Sequence, residues 1–295
     1  MLQPFFSNKS YWTQFWYLLL FVVGGLTVFS SLAAIICMVI GTNSRTYLYV
    51  VQSVNLFGVF FVPALLFSYC ASKKWFSFNE ADRNTSPHLV GYVLILSLFI
   101  VPVVACLGHF NDMIAFPESM QKIEMWMREL EEVSKSILQT LTANSNITIL
   151  FLNIFAMALL PAIFEEFLFR GTLQPFFTKW FVNKHIAIIV TAFIFSAIHF
   201  QFFGFIPRFL LGIYLGYMFI WGKSLWLPIV AHFMHNAVSL IFHYVAQRRS
   251  IDLEEIDPNQ ITGFYPAVII CTFCIGLGIY FLWKQATKVK ERSLV

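Results

Sequence analysis

The chain has 295 residues, 59% of them hydrophobic and only 12% charged, with 35 Phe and a formal net charge of +4. Its mean hydropathy of +0.73 lies outside the soluble globular range. The composition excludes a soluble domain, and the modest positive charge reads as membrane topology, with no basis for nucleic-acid binding.

Uncharged runs long enough to cross a hydrocarbon core of ~30 Å at about 1.5 Å per residue cover 10–44, 46–72, 84–111 and 136–164. The first exceeds a signal-peptide core and no small-residue cleavage site follows it, so it is expected to remain as helix one. In the second half, 185–207, 224–247 and 258–283 have spanning length, while 209–222 is short and needs 204–208 to complete it. The predicted fold is all-α: one integral membrane domain over 1–295, a polytopic bundle of about eight transmembrane helices. An even number of crossings puts both termini on one side, which collects Lys9, Lys73, Lys74, Arg83, Arg170, Lys179, Lys184, Lys223, Lys284, Lys288, Lys290 and Arg292. Arg45, Lys122, Arg128, Lys135, Arg208, Arg248 and Arg249 fall on the other, so the positive-inside rule predicts cytoplasmic termini.

Between helices three and four, 111–146 is the sizeable extramembrane segment. Phe116, Met120, Ile123, Met127, Leu130, Ile137 and Leu141 follow a 4,3 spacing there, which predicts an amphipathic helix lying on the membrane or against the bundle. Cys37, Cys70, Cys106, Cys271 and Cys274 all fall in predicted helices and read as small apolar residues, the lone C-x-x-C included. Gly212 and Gly216 form a G-x-x-x-G, whose ordinary meaning is close helix packing.

The chemistry concentrates in a few polar residues. Glu165 and Glu166 interrupt an apolar run, with Arg170 four residues after the second. A carboxylate at the bilayer centre costs roughly 2.5 to 3.5 kcal/mol, so such residues face a polar cavity or a partner. Glu166 and Arg170 can pair at i,i+4, which leaves Glu165, rotated by about 100°, free for general-base chemistry. His199, His232 and Asn236 are the next polar residues in apolar surroundings. The last two share a helix face, where an amide and an imidazole N–H suit a developing oxyanion. Depth arithmetic lets Glu165, His199, His232 and Asn236 meet in a cytoplasm-facing cavity, with Pro161 and Pro175 bending helix four on either side of the glutamates. His235 reads as structural, pointing away from the His232/Asn236 face; Arg208, beside Pro207, reads as an anchor of an outer helix end, with a substrate carboxylate as its alternative partner.

At these positions the sequence resembles the CPBP family of intramembrane proteases, also called the CAAX protease and bacteriocin-processing or Abi family. EExxxR is read as Glu165-Glu166-Phe-Leu-Phe-Arg170, FxxxH as Phe195-Ser-Ala-Ile-His199 and HxxxN as His232-Phe-Met-His-Asn236, within a core of 146–245. The resemblance implies an intramembrane endopeptidase acting on membrane-associated peptides or proteins in a bacterial cell membrane. Glu165 and His199 would activate water, His232 and Asn236 would stabilise the oxyanion, and Glu166 and Arg170 would shape the site. Its cofactor is either a divalent metal such as zinc, with Glu165, His199 and His232 as candidate ligands, or none, since HExxH is absent. The competing reading is a non-catalytic bacteriocin-immunity or scaffold protein that uses the same cavity to bind a partner. A transporter would show a polar path or repeated halves, and neither is visible.

Overall fold

The structure is a computed structural model that describes residues 4–40, 45–72, 74, 80–81, 85–143, 146–251 and 257–292. Lys73 and Arg83, counted above on the terminus side, lie outside the described residues, as do the side chains of Lys288, Lys290 and Arg292. Regular structure among the described residues is helical throughout. In hydrocarbon a helix satisfies its own backbone polar groups, which is why these apolar runs fold as they do.

The main helices are α1 (Tyr11–Ile40), α2 (Arg45–Ala71), α3 (Pro87–Asp112), α4 (Gln121–Thr142), α5 (Ile147–Phe181), α6 (Lys184–Ala197), α7 (Phe205–Gly222), α8 (Trp226–Arg248) and α9 (Phe264–Arg292). All except α4 and α6 are long and apolar enough to cross a membrane. The fourth span begins at Ile147, where the Asn146 side chain caps it by accepting from the Thr148 amide, so the 136–146 stretch assigned to that span belongs largely to α4. The sixth span, the short one in sequence, is complete as α7. The fifth is the truncated one. α6 starts at the Asn183 cap and ends at Ala197, and Phe200 adopts a left-handed φ of 53°, so the predicted 185–207 span breaks in its second half.

Close packing explains the glycine pair. A Cβ at Gly212 would approach the Ala192 backbone on α6 to 3.1 Å, and one at Gly216 would meet Ile188 at 2.9 Å. α7 therefore lies flush on α6, as the G-x-x-x-G spacing predicts.

α4 departs from its predicted stripe. Leu141 is buried, but Met120, Ile123 and Ile137 are exposed together with Trp126 and Val133. The face turned to the bundle is mixed: Glu131, Ser134, Lys135 and Leu138 line a cavity with Leu48, Gln52 and Met157. Trp126 packs on Phe202, and the Arg128 guanidinium lies 4.2 Å from the Phe203 ring centroid. Aromatic and cation–π contacts and the apolar packing of Leu138 and Leu141 hold α4 to the protein, while Met120, Ile123, Val133 and Ile137 are left for the membrane surface.

Burial raises the Glu131 carboxyl above the usual carboxylate range, against the opposing pull of Arg208 and Lys135 and with a small addition from Asp112. A raised folded-state pKa contributes stability that is present at acid pH and is lost as pH rises through the raised value. Glu131→Gln, permanently neutral, is expected to slow hydrogen exchange of the α4 amides at about pH 7 and to flatten its pH dependence. Faster exchange in the variant at neutral pH would show that the ionised carboxylate holds α4 down.

Candidate active site

α5 is a helix interrupted twice. Wide π turns occupy Ile154–Leu159 and Phe169–Leu173, and Pro161 and Pro175 follow them closely. Proline lacks an N–H and crowds the carbonyl four residues back, and a local widening relieves both. The helix is widened just ahead of each proline, and Glu165 and Glu166 occupy the α-helical piece between the two π turns, Leu160–Leu168.

Glu166 and Arg170 pair as the i,i+4 spacing predicts. Arg170 Nη1 donates to Glu166 Oε1 at 2.6 Å, with the two side chains 0% and 1% exposed, and Arg170 Nη2 donates to the Gly212 carbonyl at 3.0 Å. The guanidinium also lies 4.8 Å from the Phe195 ring centroid. Arg170 thus belongs to the membrane interior and leaves the tally of surface cations. One helical turn further along, Gln174 Nε2 donates to the Gly216 carbonyl at 3.0 Å. Arg170 and Gln174 therefore grip α7 in parallel, through glycines whose missing side chains expose the carbonyls.

His232 completes the buried cluster, its Nδ1 lying 2.9 Å from the same Glu166 Oε1. Because Arg170 holds that oxygen as a carboxylate, His232 Nδ1–H is the donor. His199, just past the end of α6, has Nδ1 at 2.7 Å from the Phe195 carbonyl, and a carbonyl only accepts, so Nδ1–H donates. In the neutral ring this leaves His199 Nε2 as an acceptor, 4.0 Å from Glu165 Oε2. That separation is too long for a direct hydrogen bond and suits two acceptors sharing one donor molecule between them. Phe195 sets edge-to-face against both imidazoles, at 5.2 Å and 5.8 Å between centroids, and fixes their planes.

Glu165, His199, His232 and Asn236 line one cavity of about 480 Å³, so the predicted residues meet. One sequence reading is corrected there. His235 lines the same cavity and does not point away: it is three residues from His232, about 60° round the helix, while Asn236 is about 40° to the other side. Arg208 lines it as well, and its guanidinium donates to both the backbone carbonyl and Oε1 of Gln201, so it faces the site while tying down the turn after α6.

The direction of the cavity also differs from expectation. Its walls include Leu138 of α4, Met157 and Pro161 from the first half of α5, Pro207 and Arg208 at the start of α7, and Ser239 in the second half of α8. The start of α1 lies at the opposite end, where Tyr11 and Trp12 pack on Trp180 near the end of α5. A cytoplasm-facing cavity and a cytoplasmic N-terminus therefore exclude one another.

Several positioning residues carried no motif. Asn111 at the end of α3 donates through Nδ2 to the Phe202 carbonyl and accepts from the Ile206 amide, which sets the entry to α7 and thereby Arg208. Asn153 of α5 donates to the Leu141 carbonyl of α4 and accepts from the Tyr49 hydroxyl of α2. Gln174 was readable: it stands four residues after Arg170 just as Gly216 stands four after Gly212.

The metal candidates do not form a ligand set. His232 Nδ1 donates to Glu166, which leaves its Nε2 open to a ligand, but no group of three His, Cys, Asp or Glu side chains placed to hold a metal ion is found among the described residues. Structural and catalytic zinc sites use at least three protein ligands.

Comparison with known proteins agrees with this geometry. Residues 147–238 match the family described as Type II CAAX prenyl endopeptidase Rce1-like. The uncharacterised protein YpbD of Bacillus subtilis (strain 168) is 36% identical over 90 residues, which cover 29% of this chain and 43% of that protein. No solved structure matches the chain significantly. The similarity to the Rce1-like CAAX endopeptidases thus covers residues 147–238 of a polytopic helical membrane bundle, and the chain spans less than half the length of the curated relative it matches.

Proposed function

We propose that the chain is an intramembrane endopeptidase that hydrolyses peptide bonds of membrane-associated peptides or proteins with Glu165 as general base. The reading rests on one observation above others: two acceptors, Glu165 Oε2 and His199 Nε2, face each other across 4.0 Å in a cavity that also presents Asn236. A water donating one hydrogen to each acceptor has its lone pairs free for a scissile carbonyl. As the C–O bond forms, Glu165 takes the water proton; as the C–N bond breaks, it returns that proton to the leaving amine. Charge develops meanwhile on the carbonyl oxygen. His232 Nε2 can donate to it only as the imidazolium, because its Nδ1–H is already given to Glu166. The Asn236 amide donates in either state and is the steadier half of the oxyanion site. Glu166 and Arg170 do not touch the reacting atoms; they fix His232 and the bend of α5. No step runs through a metal.

The test is cleavage of a membrane-tethered peptide library by protein reconstituted in liposomes. Asn236→Ala is expected to lower the rate by about 10²–10³-fold, and prolonged chelation with EDTA is expected to leave the wild type unchanged. Loss of activity on chelation, restored by zinc, would contradict the metal-free route. No cleavage of any peptide, with peptide capture equal in wild type and Glu165→Gln, would favour the non-catalytic binding protein.

A further inference from the structure

A second polar pocket lies at the other end of the bundle, about 360 Å³ in volume, between the end of α5, the start of α6 and the end of α7. Lys179, Lys184 and Lys223 stand around it, with Glu80 as the one acidic residue among its described lining, while Gln174 and Thr178 form polar wall and Phe219 and Ile220 apolar wall. The fold brings the three ammonium groups together. The chain leaves α5 through Val182 with φ 54°, turns on the Asn183 cap and enters α6 at Lys184, while α7 closes on Lys223 with φ 51°. Among the described lining residues three cations against one anion give the pocket a net positive charge, and no step of the proposed reaction uses it.

The depth of the pocket identifies its ligand class. Aromatic residues gather beside it: Trp180 stacks on Tyr11 and meets Trp12 edge-on, and Tyr217 stacks on Trp221 at 4.5 Å while its hydroxyl pairs with His185 Nδ1 at 2.8 Å. Trp and Tyr concentrate at the level of the lipid headgroups. A basic, part-apolar pocket between transmembrane helices at that level offers its cations to a phosphate and its apolar wall to the glycerol and first methylenes of a lipid. We propose that this pocket binds the phosphodiester headgroup of an anionic phospholipid through Lys179, Lys184 and Lys223. Gln174 gives such a site contact with the catalytic helix, since it lines the pocket and grips Gly216 one turn from the Arg170–Gly212 bond. The inference stands independently of the proteolytic reading.

The experiment uses the full chain in nanodiscs of equal phosphatidylglycerol and phosphatidylcholine, with retained lipids counted by native mass spectrometry. Wild type is expected to retain phosphatidylglycerol preferentially. Lys184→Gln combined with Lys223→Asn, the latter chosen because Asn tolerates the left-handed cap, is expected to lower that preference roughly fivefold per lysine removed. Lys284→Gln, a charge removed at the same end on α9, should leave it intact. Thermal unfolding checks that the variants are folded, and Lys184→Gln alone serves if the pair is not. Retention equal to wild type in the folded variant, or an equal loss in Lys284→Gln, would overturn the site. Displacement of the lipid by inorganic phosphate alone would overturn the lipid assignment in favour of a soluble anion.

Discussion

Glu165→Gln is expected to leave the bundle folded and to lower peptide cleavage by about 10²–10⁴-fold, the range a positioned general base supplies. Gln matches the volume of Glu and can still hydrogen-bond a water, so binding of that water survives while proton removal does not. Stability should not suffer. Glu165 is 5% exposed and makes no ion pair as close as that of Glu166, the His199 imidazole, neutral in the arrangement above, lying 4.0 Å away. Replacing it removes a desolvated charge without orphaning a partner. The measurement is single-turnover cleavage beside thermal unfolding of the same preparation. A folded Glu165→Gln protein that cleaves at the wild-type rate would remove Glu165 from the chemistry.

Arg170→Leu is expected to have the opposite profile, a large loss of stability. Among the described residues the guanidinium is the only cation within ion-pair distance of Glu166 other than a protonated His232, and all three side chains are buried. Removing one member of a buried pair leaves an uncompensated charge and costs about 3–5 kcal/mol. The substitution also frees the Gly212 carbonyl and loosens α5 from α7. Combining it with Glu166→Gln should recover a substantial part of the loss, because the stranded carboxylate is then gone. Reversible unfolding in mixed micelles reads both values. A loss below about 1 kcal/mol in the single variant would mean that Glu166 is solvated or protonated in the native state.

The candidate site was legible where it obeyed helical spacing. Glu166–Arg170 and His232–Asn236 are i,i+4 pairs, and each pair does share a face. Gly212 and Gly216 were read as close packing, and the neighbouring α6 atoms explain why. Continuation of helix four past Arg170 and a departure from regular α-helix beside Pro161 and Pro175 were likewise readable, because proline acts on the backbone locally.

What escaped depended on contacts distant in sequence. Nothing in 185–207 announces that Phe200 turns left-handed and ends α6 early, so the depth arithmetic carried His199 along a helix that had already stopped. That arithmetic allowed the site residues to meet but gave no sign of which end of the bundle they open to; Leu138 and Arg208 decide this, and they belong to segments outside the motifs. The face argument on His235 treats neighbours as opposed, whereas a cavity of about 480 Å³ accepts residues on both sides of His232. On α4 the period was right and the partner was not. The bundle presents the Phe202 and Phe203 rings and the cavity bearing Gln201, which favour Trp126, Arg128 and Glu131 over an aliphatic stripe.

The most direct test of the central claim is single-turnover cleavage of a membrane-tethered peptide in ¹⁸O-water, with mass analysis of both the product and the peptide containing Glu165. Activation of water by Glu165 predicts one ¹⁸O in the new carboxylate of the cleaved peptide and none in the side chain of Glu165. Label in Glu165 with an unlabelled product would make the carboxylate a covalent nucleophile and would contradict the account.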